Sequence, residues 1–231
     1  MKILVIAPHP DDETLGCGGT LFRHKEEGDE LYWAIVTGIS EDMGWPVTTV
    51  KKRDREIKAV ITRGAGSVYS AGLDLHFLRS VSNSGLLDWD RPTPTIQLAE
   101  ALREFPRILI AQVHGYCLGG ALGIMNCHDL VFAADDAQFG MPEILRGSFG
   151  QLVTSTLVHG SIPLKKVTLM QLVGQNISGA EADRWGVISK SVPPSKLEET
   201  VTDIARGIGS RHLAPLEHSK ITVQMGRDLS L

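Results

Sequence analysis

Ile108-Leu109-Ile110-Ala111-Gln112-Val113-His114-Gly115-Tyr116-Cys117-Leu118-Gly119-Gly120-Ala121-Leu122-Gly123-Ile124-Met125-Asn126-Cys127 is the most apolar stretch of the chain, and its reading decides the fold. It is long enough to tempt assignment as a membrane span, but Gln112, His114, four interior glycines and Asn126 interrupt it. Strand, turn and buried helix fit better: Ile108–Val113 reads as a strand and Gly119–Asn126 as a helix. Leu130–Ala133 reads as the next strand, which gives the alternation of an α/β core. Working outward, Lys2–Ala7 is a short apolar run that ends at Pro8-His9-Pro10, the pattern of a buried parallel strand rather than a leader. A helix over Thr14–Glu27, stopped by Gly28, and a strand over Leu31–Val36 would complete a βαβ unit. Lys51–Thr62 reads either as a helix or, from Ile57, as a strand. Val81–Pro94 has the composition of a surface loop, Thr95–Glu104 of a helix, and Ser178-Gly179-Ala180-Glu181 is a capping box.

The chain has 231 residues, 42% of them apolar and 22% charged, enough to bury a real core and too apolar for disorder. Its 27 acids against 23 bases give a net charge of -4, which argues against a nucleic-acid partner. Cys17, Cys117 and Cys127 form no C-x-x-C pair, so neither a disulfide framework nor a cysteine zinc cluster is expected. A cytoplasmic protein with no membrane partner is the expectation.

Two constellations could carry chemistry. The first is His9-Pro10-Asp11-Asp12-Glu13, at the end of a strand and the start of a helix. His9 and Asp12 could bind one zinc ion while Asp11 acts as general base on metal-bound water. Equally, Asp11 and Asp12 could cap the helix and His9 be a solvated turn residue. The second comprises the glycine turns Gly64–Leu75 and Gly115–Ala121. Such turns either aim backbone N–H groups at a common point or only allow strand and helix to pack tightly.

Ala7-Pro8-His9-Pro10-Asp11-Asp12-Glu13 followed by Leu15-Gly16-Cys17-Gly18-Gly19-Thr20 resembles the opening of the PIG-L/LmbE-like zinc de-N-acetylases. The resemblance implies His9 and Asp12 as zinc ligands and Asp11 as the base, with the third ligand of that family, a later histidine, not recognisable. The segments Gly64–Leu75 and Gly115–Ala121 resemble the crotonase (enoyl-CoA hydratase/isomerase) superfamily. So do Ala137-Gln138-Phe139-Gly140-Met141-Pro142-Glu143-Ile144 and Ser178–Ile188, in that family's order. This second resemblance covers about residues 54–231. It implies a thioester held by the N–H groups of Leu73 and Gly120, with Ala71, Gly72, Leu73 and Asp74 as the binding turn and Glu143 moving the proton.

Gly123 stands where many hydratases of that family have a first catalytic glutamate, so a single-carboxylate reaction is expected in preference to hydration. The expected architecture is an α/β crotonase-like spiral core, truncated at both ends, over residues 63–231. A βαβ segment of de-N-acetylase (Rossmann-like) type over residues 1–62 would precede it. The expected function is acyl-CoA chemistry through an enolate, with no cofactor because CoA is part of the substrate. The resemblance also implies a homotrimer. The alternatives are zinc-dependent de-N-acetylation of an N-acetyl sugar or related amide, with Zn at the incomplete N-terminal site, and a non-catalytic fusion or binding protein.

Overall fold

The computed structural model describes residues 2–7, 30–35, 57–72, 94–159 and 162–228. The central stretch folds as a strand, turn and helix: β4 (Ile108–Val113) is followed by a short strand and then by a buried helix. Around β4 lies a fully parallel sheet. Its neighbours are β3 (Ala59–Arg63) and β6 (Leu130–Ala134), and β9 (Lys190–Val192) closes the far edge, in the order β3-β4-β6-β9. Every residue of β4 after Ile108 is buried, which is why this strand reads as an unbroken apolar run. From Ile57 onward the strand alternative holds, since the sheet takes Ala59–Arg63 as β3, while residues 51–56 lie outside the described residues.

A second sheet stands beside the first. β5 (Tyr116–Leu118) pairs in parallel with β7 (Gln138–Gly140), which pairs antiparallel with β8 (Ile177–Ser178). The chain therefore leaves β4 for β5 and β6 for β7, so that successive turns of the spiral contribute one strand to each sheet. Sequence periodicity had treated Tyr116–Leu118 as part of a turn. Three residues are too few to show alternation, and only the pairing with β7 makes them a strand.

Helices complete the body: α1 (Pro94–Arg103), α2 (Gly120–Met125), α3 (Gln151–His159) and α4 (Leu164–Val173) come first. They are followed by α5 (Gly179–Trp185), α6 (Leu197–Gly209) and α7 (Leu213–Asp228). α5 opens with the expected capping box: Ser178 Oγ accepts from the Glu181 N–H, and the Glu181 carboxylate accepts from the Ser178 N–H. One main core joins β4, β6 and β7 to α2, α3 and α4 through Ile110, Leu122, Phe139, Leu157 and Val167.

At the N-terminal end, β1 (Lys2–Ala7) and β2 (Glu30–Ile35) form a parallel pair, as a βαβ unit requires, with β1 also lying alongside β3. The helix expected over Thr14–Glu27 and the loop expected over Val81–Pro94 lie outside the described residues, except for Pro94, which opens α1. Among the described residues no helix is long and apolar enough to cross a membrane.

Candidate active site

Parallel strands that end side by side place whatever follows them in one crevice. β5 and β7 are such a pair: Leu118 stands opposite Gly140, and the Gly119 N–H donates to the Gly140 carbonyl at 2.9 Å. Beyond β5 the chain turns at Gly119 into α2, whose first residue is Gly120. Beyond β7 it passes buried Met141 and enters a 3-10 turn, Pro142–Arg146, that carries Glu143. The amide of Gly120 and the carboxylate of Glu143 are thus delivered to the same end of the second sheet by adjacent strands.

Gly119 shows how close they are. Its φ is +56°, and a Cβ built there would stand 2.8 Å from Glu143 Oε1. A Cβ on Gly150, just before α3, would stand 3.2 Å from the same oxygen. The carboxylate is therefore bracketed by two glycines, and side chains at either would push it aside. Glu143 Oε2 is buried without a hydrogen-bond partner among the described residues. An unsatisfied buried carboxylate oxygen costs more than the roughly 1–3 kcal/mol of a neutral group, so its retention points to use rather than to structure.

The glycine loop that follows β3 arrives at the same place. Its backbone is zipped to β5: Ser70 N–H donates to the Tyr116 carbonyl at 3.0 Å, and Leu118 N–H to the Ser70 carbonyl at 3.1 Å. Gly72, at φ +101°, has no room for a side chain. A Cβ there would lie 2.8 Å from the Leu118 carbonyl and 3.4 Å from the Gly120 nitrogen. As the first residue of α2, Gly120 has an amide that the helix does not use.

The structure accordingly brings together Gly72, Gly120 and Glu143, with Ala71 exposed beside Gly72. Leu73 and Asp74, and with them His9, Asp11 and Asp12, lie outside the described residues. Among the described residues no group of three His, Cys, Asp or Glu side chains is placed to hold a metal ion. His114 and His128 already have protein partners, the Gly66 carbonyl at 2.7 Å and the Thr62 hydroxyl at 2.9 Å. The bracketing roles of Gly119 and Gly150 were not visible in the sequence.

Two sheets wound in a spiral, with a glycine amide and a carboxylate at the ends of β5 and β7, define an α/β protein of the crotonase fold. The chain belongs to the enoyl-CoA hydratase/isomerase family, whose model matches residues 34–225. Among curated relatives it is 29% identical over 160 residues to a (7aS)-7a-methyl-1,5-dioxo-2,3,5,6,7,7a-hexahydro-1H-indene-carboxyl-CoA hydrolase of Rhodococcus jostii. That alignment covers 69% of this chain and 60% of the relative, so the chain spans only part of that protein's length. It is 26% identical to the peroxisomal Delta(3,5)-Delta(2,4)-dienoyl-CoA isomerase of Arabidopsis thaliana, covering 76% of this chain and 67% of that one. The solved structure of human enoyl Coenzyme A hydratase domain-containing protein 3 superposes with a TM-score of 0.70 at 25% identity, covering 78% and 70% of the two chains. The family match begins at residue 34, inside the segment that resembles the de-N-acetylases, and lends that resemblance no support.

Proposed function

We propose that the chain acts on an acyl-CoA thioester, stabilising its enolate with the N–H groups of Gly120 and Leu73 and moving a proton with Glu143. The observation that carries this reading is the Glu143 carboxylate: one oxygen is buried and unpartnered, and the other is packed against Gly119, one residue from the Gly120 amide. A proton beside a thioester becomes acidic only as charge moves onto the thioester oxygen, and fixed donors in a dry crevice hold that charge best. Glu143 then takes the proton from carbon. The C–H electron pair enters the enolate, and return of the same proton to another carbon of the conjugated system completes a migration without any net reactant. The chemistry needs no cofactor, since donors and base belong to the chain.

Syn addition of water asks for a second carboxylate, and α2 offers Gly123 at the expected position. Isomerisation, hydrolysis or another single-carboxylate reaction is therefore preferred to hydration. The names of the two curated relatives, a hydrolase and an isomerase acting on CoA thioesters, fit that preference. The homotrimer belongs to the same proposal, and the exposed Leu164, Leu169 and Leu172 give α4 an apolar surface for assembly. The de-N-acetylase reading rests on His9, Asp11 and Asp12, which lie outside the described residues, and the family match over residues 34–225 does not support it.

The test compares two reactions of the unmodified protein. Proton exchange or migration beside a thioester, followed in deuterated water, should proceed and should vanish in Glu143→Gln. Hydration of crotonyl-CoA should be very slow. Hydration at the rate of an ordinary hydratase would overturn the single-carboxylate mechanism.

A further inference from the structure

A half-buried polar chain that the proposed reaction does not use runs from the glycine loop through β3 to α2. Thr62, on β3, is 8% exposed, and its Oγ1 lies 3.0 Å from Tyr69 Oη and 2.9 Å from His128 Nε2. His128 Nδ1 in turn lies 3.1 Å from the Ile124 carbonyl of α2. The direction of each bond follows from the partners. A carbonyl only accepts, so Nδ1 carries the imidazole proton. Burial lowers the His128 pKa to about 4, so the ring is neutral and Nε2 must accept from the Thr62 hydroxyl. With its own proton committed, Thr62 accepts from Tyr69, whose phenol burial keeps protonated.

The two ends of this chain are attached to the two sides of the proposed oxyanion hole. Tyr69 sits three residues before Gly72, in the loop whose backbone is zipped to β5. Ile124 sits four residues after Gly120, one turn along the six-residue helix α2. Thr62 joins both to β3 of the main sheet, so the loop cannot slide against α2 without breaking a buried hydrogen bond. The backbone ties to β5 fix the loop along its edge. The side-chain ties fix it from below.

We infer that Tyr69, Thr62 and His128 are positioning residues that set the loop carrying Gly72 against the amide of Gly120; the inference rests on the acyl-CoA reading above. None of the three needs to touch the substrate. Their effect is the placement of the Gly72 turn beside the Gly120 amide, and a displacement of the order of 1 Å there can cost about a hundredfold in rate.

The experiment uses the full chain with a chromophoric enoyl-CoA thioester, whose absorbance moves to longer wavelength when its carbonyl is polarised, together with steady-state turnover of whichever acyl-CoA the parent consumes. Tyr69→Phe and Thr62→Val keep the shape and remove the links; Thr62→Ser keeps the hydroxyl. The expected result is a smaller spectral shift and a kcat reduced about tenfold or more in the Phe and Val variants, with KM within about twofold of the parent. Thr62→Ser should restore both signals. Should Thr62→Val fail to fold, Tyr69→Phe carries the test alone. An active parent whose shift and kcat survive in Tyr69→Phe overturns the positioning chain and leaves the acyl-CoA reading standing. A parent that neither shifts the chromophore nor consumes any acyl-CoA overturns both.

Discussion

Glu143 and the glycines around it form a device of three residues in which the absence of side chains is as important as the carboxylate. Gly119→Ala would place a methyl 2.8 Å from Oε1 on a backbone at φ +56°. We expect it to lower kcat at least tenfold by displacing the carboxylate, at a backbone cost of about 1 kcal/mol. Thioester affinity, measured by calorimetry, should change far less. Gly120→Pro, which removes the amide itself, should cost about a hundredfold in turnover, the usual loss for one oxyanion donor. A fully active proline variant would exclude that amide from the reaction. His128 supplies a pH prediction at the same scale. Burial depresses its pKa from 6.5 to about 4, so the folded chain binds fewer protons than the unfolded one between those values. Stability from this group is complete above pH 6.5 and is lost as pH falls toward 4, by roughly 3 kcal/mol in all. Urea titrations at pH 7 and pH 4.5 should show the loss in the parent and a much smaller one in His128→Gln; equal losses would show that other groups carry it. Glu143 and Gly120 were legible in the sequence because each lies inside a motif. The Tyr69–Thr62–His128 chain was not, because its members are seven and sixty-six residues apart and nothing local marks any of them as a partner.

At the scale of elements, the long and the capped were readable and the short were not. β4 and the capping box of α5 follow from local pattern, whereas β5, β7 and β8 are two or three residues each and exist only through pairing. Yet those short strands aim the site, since the ends of β5 and β7 fix where Gly120 and Glu143 emerge. The placement of α7 was equally hidden. It is pinned under the sheet by Lys220, whose Nζ donates to the Arg107 carbonyl at 2.9 Å and to Asp129 Oδ2 at 2.7 Å. Asp129 Oδ2 also accepts from the Leu109 N–H at 2.7 Å, so one carboxylate ties α7, the entry to β6 and β4 together. Glu217 adds an ion pair to the buried Arg107. Removing one member of a buried pair leaves the other uncompensated, so Lys220→Met should destabilise the fold by about 3 kcal/mol. The double change Lys220→Met with Asp129→Asn should cost less than the sum of the two single changes, because each single change already breaks the ion pair and leaves its partner uncompensated. Additive losses in chemical denaturation would show that the two side chains act independently.

For the whole molecule, the α/β class, the parallel sheet and the four motifs of the crotonase resemblance were legible from residue 54 onward. The family match extends that region upstream to residue 34. At the N-terminal end β1 and β2 pair in parallel as a βαβ unit should, and the residues proposed to bind zinc lie outside the described ones. The expectation for metal can still be argued from donors. His9 and Asp12 offer two ligands, and a stable zinc site takes three or four. Among the described histidines, His114 and His128 are held by Gly66 and Thr62, so neither is available as a third without giving up a hydrogen bond. Zinc at micromolar protein should therefore be substoichiometric after dialysis, as elemental analysis would show. Proton exchange beside a thioester should be unchanged by a chelator, because its donors and base are all protein groups. One zinc per chain, retained through dialysis and lost in His9→Ala, would place amide hydrolysis at the N-terminal turn ahead of thioester chemistry. Retention of that zinc in His9→Ala would locate the metal elsewhere and remove the N-terminal turn from consideration.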